Sequence, residues 1–178
     1  THRFLIKCFN LAEMKLIYPI IGAVALLLTS CFKDEQFAST PAISYDEFVI
    51  MGDSAKLIFD FTDGEGDIGL LDSQTEYPYN FGSEYYYNVI VEYLEKDDTE
   101  GFTYVLNADN DTISFPIRIH PILDIDESKS IKGKIEVSLS PYFYNPNSSQ
   151  SDTIKYRIQL IDRALNKSNW VESEEIIR

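Results

Sequence analysis

Histidine and cysteine are scarce in this chain of 178 residues, which contains two of each. His2 and Cys8 fall within the first 13 residues, so His120 and Cys31 are the remaining members of the two pairs. Nucleophilic schemes that pair Ser or Cys with His would therefore depend on His120 alone. The sequence also lacks a phosphate-binding glycine loop and a zinc-type Cys/His cluster. It offers little to these classes of catalysis.

Basic side chains are the second shortage, with 15 Lys and Arg against 29 Asp and Glu, and a formal net charge of −14. A chain with this balance repels nucleic-acid phosphates and anionic lipid headgroups. Electrostatic attraction to either is therefore excluded as the basis of its function, and we expect no nucleic-acid partner.

Long apolar runs are also missing. The longest uncharged apolar stretch, Leu16–Leu28, is shorter than the roughly 20 residues that span a bilayer and contains a proline and a glycine. It follows Lys15 and precedes small residues and Cys31, which is the layout of a secretory signal rather than of a membrane helix. We interpret Met14 as the true start and residues 1–30 as a removed leader. The mature chain then has 28 acidic and 12 basic side chains, a charge of about −16.

The tetrapeptide Leu28–Cys31, with sequence LTSC, resembles the lipobox of bacterial lipoproteins. This resemblance implies that cleavage occurs just before Cys31 and that its thiol carries a diacylglycerol membrane anchor. Lys33, Asp34 and Glu35 resemble the surface-export signal of Bacteroidetes lipoproteins. We therefore expect an outer-membrane lipoprotein exposed at the cell surface, with a periplasm-facing position as the alternative.

Strand-forming residues, by contrast, are plentiful, and the 12 Tyr and 11 Phe favour strands over helices. Short alternating segments bounded by turn residues predict an all-β domain over residues 42–178, preceded by a tether at residues 31–41. Seven to eight antiparallel strands at this spacing favour a two-sheet β-sandwich. The predicted strands are Ile43–Ile50, Ala55–Thr62, Tyr85–Leu94, Phe102–Leu106, Thr112–Ile119, Ile131–Leu139, Thr153–Asp162 and Asn169–Ile177.

Alternation within three of these strands predicts which side chains face the core. The predicted core faces are Leu57, Phe59 and Phe61; Ile135, Val137 and Leu139; and Ile154, Tyr156, Ile158 and Leu160.

The alternating segment Tyr156–Asp162 and the residues that follow it resemble the F strand and F–G loop of immunoglobulin-like and fibronectin type III-like domains. Leu165 replaces the glycine common in that loop, so we expect Asn166 to adopt the left-handed conformation. With the lipobox and the segment FTDGEGDIGL at Phe61–Leu70, the chain from Met14 resembles uncharacterised Bacteroidetes lipoproteins. The resemblance implies an immunoglobulin-like sandwich at the envelope and no particular chemistry.

The densest polar cluster follows the second predicted strand, where Asp60, Asp63, Glu65 and Asp67 are interleaved with glycines. Acids at this spacing in a glycine-rich loop turn several oxygens toward one hard cation, and Ca²⁺ takes about 6 to 8 oxygen ligands. The segment lacks the glycine and the glutamate that an EF-hand needs at its sixth and twelfth positions. The alternatives are a Ca²⁺ site of another kind and a solvated, acid-rich turn.

The resemblance adds Asp162 to this cluster. In an immunoglobulin-like sandwich the B–C and F–G loops emerge at the same end, which would bring Asp162 near the four loop acids. Arg163 and Lys167 are then candidate counter-charges.

Two groups of aromatic residues are candidates for a binding surface. Three adjacent tyrosines in a strand cannot all face the core, so Tyr86 or its two neighbours should be exposed. Tyr142 and Tyr144 precede an Asn-Pro-Asn turn. Exposed tyrosines stack on sugar rings or pack on a protein partner, and the alternative is that they cover a sheet edge or lie under a loop.

Two functions are compatible with the sequence. The first is a non-catalytic binding or scaffolding module, with a glycan or an outer-membrane protein complex as its partner. The second is a small glycan-acting hydrolase that uses carboxylates at the acidic loop end. A concave pocket that contains convergent polar groups and an acid of shifted pKa would favour the hydrolase, whereas a flat face with exposed tyrosines would favour the binding module.

Overall fold

The computed structural model describes residues 35–107, 110–148 and 152–178. These residues form eight β-strands in two antiparallel sheets, without a helix. The predicted all-β sandwich class is confirmed, whereas its immunoglobulin-like type stays a prediction.

Within residues 35–107, 110–148 and 152–178, no helix is long and apolar enough to cross a membrane.

The first sheet has three strands in the order β1-β2-β5. Strands β1 (Ala42–Met51) and β2 (Ser54–Asp63) form a hairpin, and β5 (Ile131–Leu139) pairs with the other edge of β2. Ala42 lies opposite Thr62, and Met51 lies opposite Ser54. We call the end of the sandwich at Ala42 the proximal end and the end at Met51 the distal end.

The second sheet has the order β4-β3-β6-β7, and β8 also pairs with β6. Its strands are β3 (Val89–Asp97), β4 (Gly101–Tyr104), β6 (Thr153–Leu160), β7 (Val171–Glu172) and β8 (Ile176–Ile177). Because β6 leads to Asp162, which meets the end of β2, β6 runs from the distal to the proximal end.

The core lies between the two sheets. All the side chains predicted to face it are buried, and Leu57, Phe59, Tyr156 and Ile158 are 0% exposed. Full burial of an apolar side chain contributes about 1.5 to 3 kcal/mol, so the alternation predicted from the sequence accounts for the pairing of the two layers. The Tyr156 hydroxyl, which needs a partner when buried, donates a hydrogen bond to the carbonyl of Phe143.

Two segments predicted as continuous strands are not continuous strands in the structure. Thr112–Ile119 makes only isolated bridges, two of which lie along the edge of β3. Pro116 interrupts this segment and has no N–H for a continuous ladder. The predicted strand Asn169–Ile177 is divided into β7 and β8, and between them the buried Ser173 accepts a hydrogen bond from the N–H of Tyr156 through its hydroxyl, at 3.0 Å.

The predicted start of the third strand at Tyr85 is also wrong. Strand β3 begins at Val89, and Tyr85, Tyr86 and Tyr87 lie in the connection that precedes it. All three rings are half-buried. The strand-face argument about three adjacent tyrosines therefore does not apply, because these residues pack within a loop.

The segment before β1 is fastened to the proximal end of the sandwich. Glu35 forms an ion pair with Lys132. The N–H of Phe37 donates to the Ser130 hydroxyl at 3.2 Å, and the carbonyl of Ala38 accepts from the N–H of Gly64 at 2.8 Å. The compact unit accordingly spans Glu35–Arg178.

Candidate functional site

Three carboxylates meet at the proximal end of the sandwich. Asp63 ends β2, Asp67 follows in the connection to β3, and Asp162 comes after β6. One oxygen from each side chain lies within 4.8 Å of one oxygen from each of the others. Asp63 is 0% and Asp162 is 2% exposed, while Asp67 is half-buried.

Asp63 organises the turn that leaves β2. Its Oδ2 accepts hydrogen bonds from the backbone N–H groups of Gly66 at 2.6 Å and Asp67 at 3.2 Å. Its Oδ1 is buried and accepts no hydrogen bond. One oxygen of this buried carboxylate thus accepts two hydrogen bonds, and the other oxygen has no hydrogen-bond partner.

Asp67 connects this turn to the loop after β6. Its Oδ2 accepts the N–H of Ala164 at 2.9 Å, and its backbone carbonyl accepts the N–H of Arg163 at 3.1 Å. Like that of Asp63, the Oδ1 atom of Asp67 is buried and accepts no hydrogen bond.

Asp162 holds its own loop through both carboxylate oxygens. Oδ1 accepts the backbone N–H of Asn166 at 2.7 Å, and Oδ2 accepts the Asn166 side-chain amide at 2.8 Å. The expectation that Asn166 adopts the left-handed conformation is wrong, because Leu165 itself has a φ of +70°. The two bonds to Asn166 stabilise this loop and offset the steric cost of a left-handed leucine.

The pKa values of two of the three acids are raised. The pKa of Asp162 is raised to about 6, chiefly by burial and also by the negative charges of Asp67 and Asp63, against the lowering effect of its hydrogen bonds with Asn166. Burial, and then the charge of Asp67, raise the pKa of Asp63. Both shifts show that the cluster disfavours three simultaneous negative charges.

Neither predicted counter-charge neutralises the cluster. Lys167 pairs with Glu84, and its pKa is raised chiefly by that hydrogen bond. Arg163 has a buried Nη1 atom without a hydrogen-bond partner. Across the described residues, none of the ion pairs includes Asp63, Asp67 or Asp162.

The other two predicted metal ligands lie apart from this cluster. Asp60 alternates with the core residues of β2 and forms an ion pair with Lys134 at 3.3 Å. Glu65 is exposed in the connection, and its backbone carbonyl accepts the N–H of Lys129 at 3.2 Å. Five candidate ligands are therefore reduced to three: Asp60 points to the opposite face of its strand, and the exposed Glu65 is not part of the carboxylate cluster.

Close packing fixes the glycine loop that positions Asp67. Gly66 has a φ of +71°, and a Cβ atom at this position would come within 2.6 Å of the Lys129 carbonyl and of a Leu123 methyl group. A Cβ on Gly64 would come within 2.5 Å of the Phe37 carbonyl. These glycines permit close approach of neighbouring segments.

Arg118 organises the rest of the long connection before β3, and the sequence reasoning missed it. Its Nη1 donates to the carbonyl of Tyr86 at 2.7 Å, and its Nη2 donates to the carbonyls of Leu71 at 2.9 Å and Gln74 at 2.8 Å. The guanidinium also lies 5.1 Å from the centre of the Tyr86 ring. The only signal for this role is a lone cation between Ile117 and Ile119.

The three tyrosines predicted to form a binding surface belong to two regions. Tyr86 packs against Arg118 near the proximal end, as described above. Tyr142 is 43% exposed, and its ring centre lies 5.9 Å from that of the half-buried Tyr144. Tyr144 in turn packs on the guanidinium of Arg178 at 5.5 Å.

A cleft of about 470 Å³ opens beside Tyr144. Its walls come from the end of β1, the β1–β2 turn, the segment before β6 and the residues around β8, which all lie at the distal end. Its lining includes Asp53, Tyr144, Ser148, Asp152, Ile177 and Arg178. We call this feature the distal cleft.

Arg178 is held within the distal cleft rather than offered to a ligand. Its side chain is 13% exposed, and it donates to the carbonyls of Asn145 at 2.8 Å and Ser148 at 2.9 Å. Asp152, whose side chain is 85% exposed, lies 3.6 Å from its Nε. Asp53 is exposed as well. The accessible charge of the cleft is consequently negative.

A buried glutamate lies behind the distal cleft. Glu95 is 0% exposed and accepts hydrogen bonds from the hydroxyls of Tyr93, at 2.7 Å, and Ser148. Its position could have been predicted, since Glu95 follows Val89, Val91 and Tyr93 at intervals of two and so points to the core.

The remaining predicted residues concern the envelope and the single late histidine. Cys31, Lys33 and Asp34 lie outside the described residues, and Glu35 is exposed and paired with Lys132. The His120 side chain is 70% exposed, and its Nε2 lies 3.7 Å from Asp72.

Comparisons of the chain with protein-family models, with curated proteins and with solved structures give no match.

Proposed function

We propose that this chain is a lipid-anchored envelope protein whose β-sandwich binds or scaffolds a partner through the distal cleft. The observation that carries the proposal is the arrangement of the two ends. The segment that would follow the lipid is fastened to the proximal end, and the cleft opens at the distal end.

The short connection supports this orientation. After cleavage before Cys31, only residues 31–34 would separate the lipid from Glu35, and four extended residues span at most about 14 Å. Glu35 and Phe37 contact Lys132 and Ser130 at the proximal end. The proximal end would then stay near the membrane, while the distal cleft would point away from it and remain accessible.

The site chemistry favours binding over hydrolysis. A carboxylate-dependent hydrolase needs its acids of shifted pKa in the pocket that holds the substrate. Here Asp63 and Asp162 have raised pKa values at the proximal end, and neither lines the distal cleft. The cleft instead combines Tyr144, the 73% exposed Ile177 and two accessible carboxylates, Asp53 and Asp152.

Charge complementarity indicates the class of partner. The mature chain would carry a charge of about −16, and the accessible groups of the cleft are acidic. A basic segment of an outer-membrane protein would be attracted by these carboxylates and could pack apolar atoms on Ile177 and Tyr144. A neutral glycan would use the aromatic ring but not the charge.

Site-specific photo-crosslinking in intact cells tests the proposal. A crosslinking residue at Ile177, in the cleft, should capture a protein, whereas one at the equally accessible Phe81, which is 79% exposed, should not. Asp152→Asn should reduce capture, and the matched surface change Asp126→Asn should leave it unchanged.

Two outcomes would contradict the proposal. Capture from Phe81 without capture from Ile177 would exclude the distal cleft as the binding site. Crosslinking of a glycan instead of a protein at Ile177, at a yield that Asp152→Asn does not change, would exclude a basic protein segment as the partner.

A further inference from the structure

We propose that Asp63, Asp67 and Asp162 form a Ca²⁺ site at the proximal end of the sandwich. The proposal is independent of the lipid anchor and of the distal cleft. It starts from three carboxylates that lie within 4.8 Å of one another. None of the ion pairs of the described residues supplies a positive charge to them, as shown above.

A second observation points to a missing ligand. Asp63 is 0% exposed, yet its Oδ1 atom accepts no hydrogen bond, and the buried Oδ1 of Asp67 likewise has no partner. Buried carboxylate oxygens are normally paired, because an unpaired one loses its hydration without replacement. A cation between the carboxylates would supply the missing partner to both atoms.

The distances fit one hard cation. Ca²⁺ binds oxygens at about 2.3 to 2.6 Å, so two ligands on opposite sides of the ion are about 4.8 Å apart. The three carboxylates meet this limit. Main-chain carbonyls and water would complete its usual coordination of about 6 to 8 oxygens.

The ligand type selects Ca²⁺ over zinc. The cluster contains only carboxylates, without His or Cys, and zinc sites are built mainly from His nitrogen and Cys sulfur. Mg²⁺ keeps most of its water and requires near-octahedral geometry at shorter distances.

The carboxylates are also positioned before any ion arrives. Gly66 and Asp67 hold one oxygen of Asp63, Ala164 holds one oxygen of Asp67, and Asn166 holds both oxygens of Asp162. An ionised carboxylate oxygen has two lone pairs, so an oxygen that accepts one hydrogen bond can still bind a cation. Binding would join the turn after β2 to the loop after β6.

Calcium binding to the full chain, purified in detergent and freed of metal on a chelating resin, tests the site. Equilibrium dialysis with radioactive Ca²⁺ should give one ion per chain. Asp67→Asn should weaken binding by about tenfold or more, because ligand charge sets affinity. Glu65→Gln, which makes the same charge change at an exposed position in the same loop, should bind as the unaltered chain does.

Hydrogen exchange on the unaltered chain locates the ion without any substitution. Ca²⁺ should slow amide exchange in residues 63–67 and 162–166 and leave the distal turn at Gly52 unchanged. Absence of binding at millimolar Ca²⁺, equal affinity in Asp67→Asn, or protection confined to other segments would each overturn the proposal. The hydrogen-exchange result decides the matter if Asp67→Asn does not fold.

Discussion

Replacing Asp67 with Asn is expected to stabilise the metal-free protein at pH 7. The substitution removes one of three clustered negative charges while keeping an oxygen for the N–H of Ala164, which Asp67 now accepts at 2.9 Å. The new amide group would replace the unpartnered Oδ1 and could donate to a neighbouring carboxylate. Removal of this negative charge from the cluster should therefore raise the free energy of unfolding.

The distance limit gives the size of the effect. Two unit charges 4.8 Å apart repel by about 3.5 kcal/mol at an effective dielectric constant of about 20, and Asp67 lies within that distance of two carboxylates. Two factors reduce this value. Asp67 is half-buried and partly screened, and the raised pKa of Asp162, about 6, lets the cluster take up a proton near neutral pH. We expect a net gain of about 1 to 2 kcal/mol.

Urea unfolding in EDTA, followed by far-ultraviolet circular dichroism, measures this gain. The control Glu65→Gln should stay within about 0.5 kcal/mol of the unaltered chain, because its side chain is exposed. Millimolar Ca²⁺ should reverse the order of Asp67→Asn and the unaltered chain, since an ion that binds only the folded state adds stability. Lower stability of Asp67→Asn than of the unaltered chain in EDTA would refute the account of the cluster as a repulsive site.

Three further changes are expected to have measurable effects. In EDTA the free energy of unfolding should fall by about 1 to 2 kcal/mol between pH 5 and pH 7. Burial raises the pKa of Asp162 to about 6, so its contribution is fully present below about pH 4 and is lost as the pH rises through 6; a flat or rising profile in urea melts would contradict this. Gly66→Ala should cost at least about 2 kcal/mol, and Gly52→Ala only about 1 kcal/mol, because both have positive φ but only Gly66 is enclosed; equal losses would refute the packing argument. Changing Lys33, Asp34 and Glu35 to Ala should leave the protein lipidated but inaccessible to protease added to whole cells, and unchanged cleavage would refute the export signal.

The regular part of the fold could be predicted because it depends on local alternation. In β2 and β6 every second side chain is apolar, and these side chains form the core. The predictions failed where distant contacts decide the conformation. Tyr86 packs on Arg118, 32 residues later, and Pro116 disrupts a segment whose apolar pattern resembles a strand.

The candidate site could be predicted only in part for the same reason. Spacing and the expected meeting of two loops identified Asp63, Asp67 and Asp162. Asp60 could have been excluded, because the predicted strand Ala55–Thr62 already places it on the face opposite to Phe59 and Phe61, and the observed strand keeps it there. Leu165 adopts the left-handed conformation because Asp162 binds Asn166 twice, a contact that spacing alone does not reveal.

Mass spectrometry of the membrane-bound protein tests the proposed anchoring most directly. The account predicts a mature N-terminal peptide that begins at Cys31 and carries diacylglycerol on the thiol, and it predicts that Cys31→Ser abolishes incorporation of a fatty-acid analogue. An unmodified Cys31 within a peptide that still contains residues 14–30, or label that persists on Cys31→Ser, would contradict it.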